Sequence, residues 1–145
     1  SRDATVETVL ALFASDGARF SARTLATAAH RVAKFAGDTR RARGRAVRDD
    51  RRVHDLADAC QRRLGNMNAC ELSNTAWAFA KMGFNAPTLF AAIADAARPR
   101  LREFKPQELA NTAWAFATAG VDAPGLFAAI AAAALSKLGD FKPQE

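Results

Sequence analysis

Seven arginines crowd residues 40–52: Arg40, Arg41, Arg43, Arg45, Arg48, Arg51 and Arg52, opposed within the run only by Asp49 and Asp50. A guanidinium stays charged and presents a planar fork of donors that fits phosphate bidentately, so the run reads as a phosphate-binding segment. Contacts of this kind hold a polyanion without choosing among sequences. The competing readings are a solvated loop and a contact to protein or acidic lipid. The run also dominates the charge of the chain. Residues 1–66 carry 14 Lys and Arg against 8 Asp and Glu, and residues 67–145 carry 7 of each, so the net +6 lies in the first part. A field this local suits an anionic partner.

A second set of polar side chains recurs at helical spacing. Gln107, Asn111 and Thr118 share one stripe, Asn74 and Lys81 another, and Arg23, Thr27, Arg31 and Lys34 a third. Helical-repeat proteins read bases with two or three side chains per copy, which makes these residues a candidate base-facing column. The column grows more basic toward the N-terminus. The alternative is a solvated face, with Asn74 and Asn111 bonded to backbone between neighbouring helices. Trp77 and Trp114 offer rings for base stacking. Their helical neighbours are small, Ser73 and Ala80 for one and Ala110 and Ala117 for the other, so core packing between helices is the expectation.

Cys60, Cys70, His30 and His54 are the soft ligand types present, and none shows C-x2-C or H-x3-H spacing. Both cysteines are expected as small buried hydrophobes, with no metal site and no cofactor. No nucleophile–base set, glycine-rich phosphate loop or paired carboxylates is apparent, so the chain is not read as an enzyme.

What must position these groups is a repeat of 37 residues. Asn74-Thr-Ala-Trp-Ala-Phe-Ala80 recurs as Asn111–Ala117, and Phe104-Lys-Pro-Gln-Glu108 recurs as Phe141–Glu145. Residues 67–103 and 104–140 are full copies, and 141–145 open a further one, so the natural chain is expected to continue. Phe20–Ala33 aligns with Phe104–Ala117 at an offset of 84, which makes residues 20–66 a degenerate copy with ten extra residues in its arginine run. Residues 1–19 supply one more helix, near 4–14, and a turn at Asp16-Gly17. Each copy reads as two helices, A then B. Helix A starts at Pro106, or at an Asn68/Glu71 capping box, and ends at Gly83 or Gly120. Helix B starts near Pro87 or Pro124, with Asn85 or Asp122 as cap, and Pro99 ends or kinks it in the middle copy. The apolar arcs of both helices are wider than one hairpin can bury, so neighbouring copies must stack, giving an all-α solenoid of tandem helix-turn-helix repeats. No stretch approaches the roughly 18–20 apolar residues of a membrane span.

The segments Pro106-Gln-Glu-Leu-Ala-Asn-Thr-Ala-Trp-Ala-Phe-Ala117 and Cys70-Glu-Leu-Ser-Asn-Thr-Ala-Trp-Ala-Phe-Ala80 resemble helix A of octotricopeptide-type repeats and the kindred repeats of FASTK/RAP proteins. The likeness is strong over 67–145 and weak over 20–66, where His30 and Thr27 replace the signature Trp and Asn. It implies single-stranded RNA binding in a mitochondrion or chloroplast, for transcript maturation, stabilisation or translation, or as a ribosome-associated subunit. RNA is then the partner. The alternative is a protein–protein scaffold docking other subunits of an organellar complex.

Overall fold

The computed structural model describes residues 2–139, all of whose regular structure is helical. The α-helices are α1 (Arg2–Asp16), α2 (Ala22–Ala36), α3 (Ala42–Asp49), α4 (Arg51–Arg62), α5 (Ala69–Lys81), α6 (Pro87–Ala97), α7 (Pro106–Ala119) and α8 (Pro124–Gly139). Short 3-10 turns follow α1, α4 and α6. The copy that Phe141–Glu145 would open lies outside the described residues. No described helix is long and apolar enough to cross a membrane.

Most helix ends follow from local chemistry. The Asn68 side chain accepts the Glu71 N–H at 2.8 Å while Glu71 accepts the Asn68 N–H at 3.0 Å, a reciprocal capping box. Pro106 opens α7, and the Glu108 carboxylate accepts the Lys105 N–H at 2.8 Å. Gly83 and Gly120 close α5 and α7 with φ of 65° and 70°, left-handed values that a side chain resists. Pro99 acts as expected: α6 stops at Ala97 and tightens into a 3-10 turn, whereas α8, with Ser136 at the matching position, runs on to Gly139. One cap differs. The residue before α6 is Ala86 and no side chain caps it, because Asn85 lies one position too early and Pro87 already sets the first-turn φ.

The inserted segment differs more. The expected loop is instead a helix, α3, seated against the end of α2. Gly44 makes that seat fit: a Cβ there would lie 2.2 Å from the Asp38 carbonyl oxygen.

The helices A, namely α2, α5 and α7, lie in a row, α2 packed on α5 and α5 on α7, with α1 covering the outer side of α2. On the B side, α4 packs on α2 and α6, and α8 on α7 and the turn after α6. The repeated heptapeptide is mostly core. Thr75 and Thr112, Ala78 and Ala115, and Phe79 and Phe116 are all buried. The two threonine hydroxyls donate to the Glu71 and Glu108 carbonyls, each at 2.8 Å, so burial leaves neither unpaired. Phe90 meets Phe116 edge-on, with ring centres 5.3 Å apart. Each such ring contributes roughly 2–3 kcal/mol through burial.

Candidate nucleic-acid interface

The arginine run is knitted into the scaffold. Arg43 donates from its two terminal nitrogens to the Ala36 and Phe35 carbonyls, both at 2.7 Å, and pairs with Asp3. It thereby closes the C-terminus of α2, where carbonyls lack partners and the helix dipole favours a cation. Arg52 pairs with Asp50 at 2.8 Å and with Glu7 at 2.9 Å, tying α4 to α1. Arg40 pairs with Asp38, Arg48 with Asp49 and Arg51 with Asp55. Arg45 donates to the Arg40 carbonyl at 2.6 Å. Arg41 alone of the run makes no ion pair or side-chain hydrogen bond among the described residues. The sequence pattern hid this, because four of the carboxylates, Asp3, Glu7, Asp38 and Asp55, come from outside the run. The pairing shows in the proton equilibria too. The Arg52 hydrogen bond holds the Asp50 carboxyl below its ordinary range, and Arg40 and Arg48 do the same for Asp38 and Asp49.

The column residues have the opposite character. Arg23, Thr27, Arg31 and Lys34 are exposed along one face of α2, Lys81 along α5, and Gln107 and Thr118 along α7; Asn74 and Asn111 are half-buried. None of the four cations on α2 and α5 is paired with a carboxylate among the described residues. Neither asparagine bonds a neighbouring helix: Asn74 donates to Cys70 Sγ of its own helix at 3.6 Å. Position for position, Ala78 and Ala115 match Arg31, yet both alanines are fully buried, so the face narrows toward the C-terminus.

Aromatic rings sit among these cations. His30 on α2 and Trp77 on α5 stack with centres 4.9 Å apart and planes 33° from parallel. The Lys81 ammonium lies 5.7 Å from the Trp77 ring centre, within cation–π range. Burial, and then the charges of Lys34 and Arg31, hold the His30 imidazole below its ordinary value. That ring is therefore neutral at pH 7, and three cations surround the stacked pair. Trp77 is half-buried and packs against the core. Trp114 departs from the expectation of core packing: it is 45% exposed, because no helix lies on the far side of α7 among the described residues. The cysteines divide as well. Cys60 is buried and its thiol is pushed up to about 12, but Cys70 is exposed, because its position belongs to the outward stripe. No His, Cys, Asp and Glu cluster among the described residues could hold a metal.

The helical architecture can be compared with known families. The model of the Tbc2 translation factor N-terminal domain matches residues 3–143, nearly the whole chain. The chain belongs to this family. No curated protein and no solved structure gives a significant match. Membership in a Tbc2-type family points to a translation-related role, with RNA or protein as the partner.

Proposed function

We propose that this Tbc2-type domain is an α-solenoid of octotricopeptide-like repeats that binds single-stranded RNA in an organelle, mitochondrion or chloroplast, in the service of translation. The role is binding, not catalysis. The observation that carries the reading is the face shared by α2 and α5, where Arg23, Arg31, Lys34 and Lys81 stand free of carboxylates around the His30–Trp77 stack. Cations interleaved with aromatic rings suit a flexible polyanion with unpaired bases. The arginine run is then mainly structural, with Arg41 and Arg45 its cations left without a carboxylate among the described residues. Asn74, Gln107, Asn111 and Thr118 continue the face as neutral donors and acceptors suited to base edges.

Photocrosslinking the chain to a mixed pool of single-stranded RNA, then mapping the modified peptides, tests this. Adducts concentrated in 22–36 and 69–81 are expected. Adducts confined to 40–52, or none at low salt, would overturn the assignment and favour a protein-docking scaffold.

A further inference from the structure

Three positions tell how one helix A meets the next. Ala26, Ser73 and Ala110 are equivalent by the repeat, as are Ala29, Ala76 and Ala113, and Ala33, Ala80 and Ala117. On α2 and α5 every one of these is closed off: Ala26, Ala29 and Ala33 are at most 1% exposed, and Ser73, Ala76 and Ala80 at most 4%. The following helix A packs on each of these helices, and Ser73 Oγ donates to the Glu108 carbonyl of α7 at 3.3 Å across the contact. Small side chains at these positions let the helix axes approach closely. On α7 the same face stands open. Ala110 and Ala117 are exposed and Ala113 is half-buried.

The open face continues onto α8. Leu109, Ala110, Ala113, Ile130, Ala134 and Leu138 line an apolar groove of about 300 Å³ between the two helices. Leu138 in this groove and Leu135, one turn earlier on α8, are each 68% exposed, and Trp114 on α7 is 45% exposed. This much contiguous apolar surface marks a contact site.

We infer that the α7–α8 face is a docking site for one further helix A of this repeat type. The argument is continuity with two contacts already formed by equivalent residues. The occupant presents the face that α7 presents to α5, with the counterparts of Leu109, Thr112 and Phe116 buried behind it. Trp114 then becomes half-covered, as Trp77 is. This inference does not depend on RNA binding.

The test extends the chain. Phe141–Glu145 has the sequence of Phe104–Glu108, so repeating residues 109–139 after Glu145 continues the pattern in register. In a Trp77→Phe background, with the copied tryptophan of the extension also replaced by Phe so that Trp114 is the only indole, the extended chain should melt in one transition above that of the parent. Its Trp114 emission should shift to shorter wavelength and lose access to a soluble quencher. Ala110→Lys with Ala117→Lys should abolish both gains in the extended chain and leave the parent's melting unchanged, since both alanines are exposed there. Two separate transitions with Trp114 still accessible would overturn the inference. So would a parent chain that dimerises in sedimentation and is returned to monomer by Ala117→Lys, because a second copy would then be the occupant.

Discussion

His30 and Trp77 occupy equivalent positions on successive helices, and their rings stack 4.9 Å apart across the joint. Trp114, at the same position on α7, has no aromatic partner among the described residues and is 45% exposed. Trp77 and Trp114, identical in sequence context, therefore differ in consequence. Trp77→Ala should cost about 1–3 kcal/mol of stability, and Trp114→Ala no more than about 0.5 kcal/mol. Chemical denaturation of the two variants decides. Equal losses would contradict the assigned surroundings.

The seat of α3 gives a second expectation. Arg43→Ala removes the donors that satisfy the Phe35 and Ala36 carbonyls, and Gly44→Ala drives a Cβ into the Asp38 carbonyl. Each should lower stability by roughly 1–3 kcal/mol. Arg43→Lys should fail to restore it, because a single ammonium cannot span two carbonyls and Asp3 as the guanidinium fork does. Melting temperatures of the three variants provide the check.

Much of the fold was legible because its signals are local. Proline, glycine and capping residues act within one turn, and the identical heptapeptides disclose the period. The arginine run misled for the converse reason. Its composition looks like an open loop, but Asp3 and Glu7 reach it from α1, some forty residues away in sequence. Trp114 misled because burial depends on whether a neighbouring helix is in place, which its own flanking residues cannot encode. The column at Arg23, Arg31, Lys34 and Lys81 was legible as a face, since helical spacing alone assigns side. That its cations are free of carboxylates was not.

Acid should weaken the ion pair at the start of α4. The folded Asp50 carboxyl lies below its ordinary value, chiefly through the Arg52 hydrogen bond. The ionised pair therefore stabilises the fold fully above the unfolded carboxyl value, about 4, and that contribution fades as pH falls through the folded value. Asp50→Asn keeps an acceptor for the cap of α4 but removes the charge. Its loss of stability relative to the parent should be clear at pH 7 and shrink toward pH 2. A difference independent of pH would contradict the Asp50–Arg52 pair.

The thiols provide an inexpensive probe of the packing. In the native chain a thiol reagent should modify Cys70 and spare Cys60, whose thiol is buried and raised to about 12. Denaturant should make both react. Prompt native-state labelling of Cys60 would contradict the packing of α4 on α2.

The central claim is that the α2–α5 face, not the arginine run, neutralises RNA phosphates, and the salt dependence of binding tests it most directly. With three or four phosphates met, the logarithm of affinity for single-stranded RNA should fall against the logarithm of salt with a slope of about −2 to −3. Replacing Arg23, Arg31, Lys34 and Lys81 with alanine should bring that slope to between 0 and about −1. Removing Arg62 and Arg63 of the α4 end, exposed cations on the other layer, should leave it nearly unchanged. A slope untouched by the fourfold variant, yet flattened when Arg40, Arg41 and Arg45 are replaced, would contradict the account.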